Sequence, residues 1–146
     1  MDATDIEIIK ELEDGRKSFN RIAQTLGLAE GTVRSRVNKL RDEGVLDISG
    51  LVDPEVLPDH SIVMIGVRLN DMDLVKKGQE FSALNGVLSV AVVTGRFDLI
   101  ITVMLKKDFG ILEFYTKEAA KIKNVQSVET FVVYKGFNLK VASSAM

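Results

Sequence analysis

Both prolines of the chain, Pro54 and Pro58, stand in one eight-residue stretch, residues 53–60. Proline has no backbone donor and a fixed φ, so it neither extends a central strand nor sits inside a helix. The stretch therefore reads as a linker between two patterns of different period. Before it, apolar residues recur at three- and four-residue spacing. After it, β-rich runs alternate with helical ones. A chain of 146 residues is long enough for two small domains, and the expected division is 1–52, a linker at 53–60, and 61–146.

The first half reads as three helices. Ile6, Ile9 and Leu12 share a face over residues 1–13, with Thr4 as the expected cap and Glu7 completing a capping box. Ser18 is a second cap, followed by Phe19, Ile22, Ala23 and Leu26 at helical spacing, and Gly27 ends that helix. The third helix lies within residues 29–44. Val33, Val37 and Leu40 make its apolar stripe, and Gly44 suits a left-handed terminus. Its other faces carry Arg34, Ser35, Arg36, Asn38, Lys39 and Arg41. Taken alone, it is equally a solvated surface helix with several arginines. Preceded by a short helix and a glycine turn, it reads as the recognition helix of a helix-turn-helix bound to double-stranded DNA. Residues 45–48 and 51–52 flank Ser49-Gly50 and predict a two-stranded wing.

Charge agrees with this reading. The chain carries −2 overall, yet residues 16–41 hold seven basic side chains against one acid, Glu30. A positive footprint on an otherwise acidic chain suits DNA contact through one face. Arg34, Ser35, Arg36, Asn38 and Arg41 are the expected contacts, with Thr32 or Lys39 on phosphate. Arginine can bind guanine and asparagine adenine through two hydrogen bonds each. Arg36 lies nearer the flank, within reach of phosphate or a carboxylate.

The second half predicts a strand at 61–69, a helix at 71–84, a strand at 87–94, a tight Gly95-Arg96 hairpin and a strand at 97–105. A helix capped by Asp108 and a strand at 125–135 follow. The order βαββαβ is that of a ferredoxin-like fold, so the chain as a whole is α+β. Its strands are apolar on both sides of the pleat: Leu88, Val90 and Val92 alternate with Val87, Ala91 and Val93. Helices cover one face of such a sheet, and a second copy of the chain is the economical cover for the other.

Several classes are disfavoured. There is no cysteine and one histidine, His60, so neither a metal centre nor a cofactor is expected, nor a catalytic triad. His60, beside the linker, reads as a surface residue. No apolar run reaches the roughly 18 residues of a membrane helix, and the acidic N-terminus is unlike a secretory signal. The expected compartment is the cytoplasm.

The pattern Leu26-Gly27-Leu28, Thr32-Val33, Arg36-Val37, Leu40 and Gly44-Val45-Leu46, followed later by VVTGRFDLIITV, resembles the Lrp/AsnC (feast/famine) transcription regulators over nearly the whole chain. The resemblance implies a non-enzymatic DNA-binding protein that senses amino acids or related metabolites. It also implies a homodimer that assembles further to tetramers or octamers on loosely palindromic promoter sites. It places the effector at the hairpin Thr94, Gly95, Arg96, Phe97 and Asp98. There Gly95 would let backbone N–H groups approach a carboxylate, Asp98 would take an ammonium, and Arg96 an acidic group. The plain alternative is a turn in which Gly95 supplies a positive φ and Asp98 only caps. Thr130 and Val132 on the last strand are further effector candidates, contributed by a neighbouring dimer. Ala29 departs from the family, which commonly has serine at this cap; serine-to-alanine there costs about 1 kcal/mol. Two other readings share the architecture: a sirohaem decarboxylase, which would need a basic, histidine-bearing pocket, and a co-regulatory subunit without DNA binding.

Overall fold

Helix starts in the first half are set by side chains that satisfy otherwise unpaired backbone donors. A computed structural model describes residues 1–146 and divides them into two compact units, Met1–Gly50 and Leu51–Met146. In the first, α1 (Ala3–Glu11) begins on a capping box made by Asp2 and Asp5. Asp2 Oδ1 accepts from the Asp5 amide at 2.9 Å, and Asp5 Oδ2 accepts from the Asp2 amide at 2.8 Å. This corrects the expected Thr4–Glu7 box. The start lies two residues earlier, where two carboxylates complement the positive helix end.

The second helix, α2 (Phe19–Leu26), has Ser18 as its cap and Gly27 in the left-handed region, as the sequence implied. The third, α3 (Glu30–Asp42), starts at Ala29 with no side-chain cap. It ends in a Schellman motif: Gly44, at φ 68°, donates to the Arg41 carbonyl and Val45 to that of Leu40. Ile8, Ile22, Val33 and Val37 are fully buried and make the core of the three helices, with Ala23 beside them.

The wing does not form as a hairpin. Residues 45–48 are not a strand. Instead β1 (Leu51–Val52) pairs antiparallel with β6 (Val141–Ala142) near the C-terminus. Two residues cannot hold a hairpin alone, and the C-terminal segment supplies further anchors. Glu55 accepts from the Gly136 amide at 2.7 Å and from Lys135 Nζ at 2.6 Å. Lys140 Nζ donates to Asp53 at 3.3 Å.

In the second unit, β2 (Ser61–Leu69), α4 (Leu74–Ser82), β3 (Val87–Val92), β4 (Leu99–Leu105), α5 (Ile111–Glu113) and β5 (Val125–Val132) follow in order. The antiparallel sheet runs β3-β4-β2-β5, the ferredoxin-like arrangement expected. Val63, Ile65 and Val67 of β2 and Leu99, Ile101 and Val103 of β4 pack with Phe81 and Phe114 on the helix-covered side.

Three details depart from expectation. A β-bulge between Val87 and Ser89 changes the register of β3. Val87 and Val90 therefore both join the helix-side core, while Leu88 packs on the other face. Asp108 is not a helix cap. The helix starts after Gly110, whose amide donates to Glu113 at 2.9 Å, because residues 106–109 form a tight bridge between Lys106 and Phe109. Beyond Glu113 the segment winds as a π turn, Phe114–Glu118, and a 3₁₀ turn, Ala119–Lys121. Finally, the open face of the sheet is partly covered by the chain itself: Val141, Leu139 and Ala145 pack with Ile62, Met104 and Leu88. Met64 and Phe131, opposite one another in the ladder, stay exposed.

Candidate DNA and effector sites

A helix that docks through one stripe leaves its remaining side chains to solvent. In α3 the stripe of Val33, Val37 and Leu40 is buried, while Thr32, Arg34, Ser35, Asn38, Lys39 and Arg41 are exposed. Arg34, Ser35, Asn38 and Lys39 line one concave surface, and Asn38 and Arg41 an adjoining one. The arginine nearest the helix start is already oriented. Arg34 pairs with Glu30 one turn earlier, and its guanidinium lies 5.2 Å from the Phe19 ring of α2. The guanidinium is thus held at the surface by one carboxylate and one ring face.

Arg36 is different. Its Nη1 donates to Asp2 at 2.7 and 2.9 Å and to Asp5 at 2.7 Å. The guanidinium beside Asp2 holds that carboxyl below its usual range. Asp5 is lowered first by the Asp2 amide and then by Arg36, and the two carboxylates raise the arginine. Arg36 thus ties the third helix to the cap of the first, and six of the seven expected DNA residues share the solvent-facing surface.

The effector candidates fall on two sides of the sheet. The β3–β4 connection is a six-residue loop, residues 93–98, rather than a two-residue turn. Gly95 sits at φ 116°, where a side chain would be strained. The Asp98 amide donates to the Val67 carbonyl at 2.9 Å, and its carboxylate accepts from the Leu69 amide at 2.8 Å. Asp98 therefore clips the loop to β2. Phe97 meets Phe131 edge-on, centroids 6.0 Å apart. Its ring lies over Gly66, where a Cβ would come within 2.7 Å of it. Arg96 lies 5.6 Å from the Phe97 ring and 3.2 Å from Glu129. Thr94 is exposed.

Thr130 and Val132 do not join this cluster within the protomer. They pair with Ile65 and Val63, so they point to the helix side. Thr130 Oγ1 bonds the Tyr115 hydroxyl at 2.6 Å, and Val132 is 72% exposed. Gly66, Glu129 and Phe131 complete the hairpin cluster but were not foreseen. Only the register of β2 against β5 brings them there, and the alternation of β5 alone could have suggested that Glu129 and Phe131 share a face.

Both units match known families. Residues 1–41 match the AsnC-type helix-turn-helix domain, and residues 62–139 match the Lrp/AsnC ligand binding domain. An HTH-type transcriptional regulator of Pyrococcus furiosus is 30% identical over 122 residues, covering 83% of this chain and 82% of that one. Among solved structures, E. coli AsnC superposes with a TM-score of 0.63 at 24% identity, over 93% of each chain. A transcriptional regulator from Neisseria meningitidis, solved as a complex with L-Met, gives 0.65 at 22% identity, over 99% of this chain and 95% of that one. With a helix-turn-helix in front and a ligand-binding domain behind, each matched in its own place along the sequence, this chain belongs to the Lrp/AsnC family of transcriptional regulators.

Proposed function

We propose that the protein binds specific promoter sequences and that an amino acid or a related small metabolite changes that binding or the assembly of the protein. One observation carries this reading. The exposed surface of α3 presents Arg34, Ser35, Asn38 and Arg41 while its apolar stripe is wholly used by the fold; of these, Arg34 alone carries contacts of its own, with Glu30 and the Phe19 ring at the surface. Arg34 and Asn38 are the base-reading residues; Thr32, Lys39 and Arg41 hold phosphate. Arg36 acts indirectly, by holding α3 against α1.

The effector binds at the 93–98 hairpin. Asp98 is engaged by the Leu69 amide, so the Arg96–Glu129 pair is the better complement for a zwitterion: carboxylate to the guanidinium, ammonium to Glu129. The L-Met bound to the Neisseria regulator supports an amino acid as the class. Two copies pair through the open sheet face around Met64 and Phe131, which presents a pair of α3 helices to successive half-sites. Thr130 and Val132 then serve the effector from a neighbouring dimer.

An electrophoretic shift on the protein's own promoter, with and without single amino acids, tests the reading. A shifted band that responds to one of them is the expected result. Equal affinity for promoter and scrambled DNA would overturn it. Light scattering at micromolar concentration should give a dimer or a multiple of it, and a stable monomer would remove the pairing.

A further inference from the structure

The helix-covered side of the sheet holds a cavity of about 280 Å³. Ile65, Val67 and Ile101 make its floor, and Phe114, Tyr115 and Ala119 its roof. Every side chain that lines it is apolar except for the Tyr115 hydroxyl, and none is charged. The space is a pocket at the edge of the main core, open to solvent beside Val128 and Ala120, where tighter packing of the covering segment would ordinarily close it. The roof keeps it open. The segment over the cavity passes from an α turn to the π turn Phe114–Glu118 and then the 3₁₀ turn Ala119–Lys121. A π turn is wider than an α turn and recurs at functional sites. The two roof residues that follow it, Ala119 and Ala120, are too small to fill what it opens. At the mouth, the Tyr115 hydroxyl is tethered to Thr130 of the edge strand at 2.6 Å, and Val128 of the same strand forms the exposed rim.

We propose that this cavity is a second ligand site, for a compact uncharged molecule that is monoaromatic or branched aliphatic. Size and lining both restrict the occupant. An enclosed apolar cavity of about 150 Å³ takes up benzene; this pocket is larger and open on one side, so its occupant keeps one edge in water. An ionised carboxylate or ammonium inside it would find no partner and would remain in water. The site is separate from the hairpin. Phe97 lies over Gly66 on the open face of the sheet, whereas Ile65 and Val67, on either side of Gly66, point into the cavity. An occupant would brace the irregular segment against β5.

The chain has two tyrosines, Tyr115 and Tyr134, and Tyr134 is 99% exposed. In full-length Tyr134→Phe, every tyrosine signal therefore reports the cavity wall. Titration with toluene should shift the Tyr115 ring resonances saturably and raise Tm. Ala119→Leu, which fills the cavity from its roof, should fold and weaken toluene binding by roughly tenfold or more. Val128→Phe should do the same from the exposed rim, should the roof variant fail to fold. Arg96→Ala should leave the toluene response intact. The proposal is overturned if toluene causes no saturable shift of Tyr115, or if the folded filling variants bind it as the parent does. It is equally overturned if Arg96→Ala abolishes the response, which would place toluene at the hairpin.

Discussion

The proposed recognition helix and the proposed effector hairpin use their side chains in opposite ways. In α3 the two tasks are divided. Val33, Val37 and Leu40 fold the helix, Arg36 ties it to α1, and the remaining polar side chains face solvent. In residues 93–98 the tasks are shared. Asp98 holds the loop to β2, Phe97 seats it on Gly66, and Arg96 pairs with Glu129, so the loop that Asp98 and Phe97 hold in place also carries the arginine proposed to meet the ligand. Stability and recognition should therefore separate under mutation in the helix and move together in the hairpin.

The largest expected effect is on DNA affinity. Arg34→Ala combined with Asn38→Ala removes the two proposed base contacts, worth about 1–3 kcal/mol each, so operator binding should fall by on the order of a hundredfold in an anisotropy titration. Tm should drop little, because neither side chain is buried and the surface contacts of Arg34 with Glu30 and Phe19 are worth about 1 kcal/mol. A parallel loss of Tm would break the division of tasks. Next is Asp98→Ala, which leaves the Leu69 amide without its carboxylate. An unsatisfied donor of this kind costs about 1–3 kcal/mol. Urea unfolding should show that loss together with a lost effector response, and a stable variant that still responds would contradict the shared arrangement. Ala29→Ser supplies the missing cap of α3. It should stabilise the first unit by about 1 kcal/mol, read from thermal unfolding, without changing which operator is chosen.

The smallest effect is on pH dependence. The carboxyls of Asp2 and Asp5 are held below their ordinary range, largely by Arg36 and by each other's amides. A depressed folded pKa means their contribution is complete above the unfolded value of about 3.9 and is lost as pH falls through the folded value. Acid unfolding of the first unit should therefore begin at a higher pH in Arg36→Ala than in the parent. Coincident acid transitions would show that the ion pair does not couple α1 to α3.

What was legible in the sequence follows from how local its cause is. Ser18, Gly27 and Gly44 mark helix ends through contacts within a few residues, and the order βαββαβ follows from alternating periods. The Thr4 cap failed because the helix starts two residues earlier, where Asp2 accepts from the Asp5 amide and its carboxylate also gains Arg36, thirty-four residues away. The wing failed because the partner of Leu51–Val52 is Val141–Ala142, at the far end of the chain. The β3 face assignment failed at a bulge, where one extra residue turns the strand over. In the candidate sites the same rule holds. The exposed face of α3 was readable from helical spacing. The set Gly66, Glu129 and Phe131 around Phe97 was not, because it depends on strand register. The cavity beneath Ala119 was hidden for a further reason: apolar spacing at Leu112, Tyr115, Ala119 and Ile122 reads as an ordinary helix, while the backbone there winds as π and 3₁₀ turns.

The central claim is that one chain couples amino-acid binding to operator binding, and coupling between two binding equilibria is reciprocal. The most direct measurement is the Kd of the effective amino acid, by calorimetry, with and without saturating operator DNA. It is set beside the operator Kd with and without that amino acid. The account predicts that both constants change by the same factor, and that Arg34→Ala weakens DNA binding while leaving the amino-acid Kd of the free protein unaltered. An amino-acid Kd indifferent to operator DNA would contradict it.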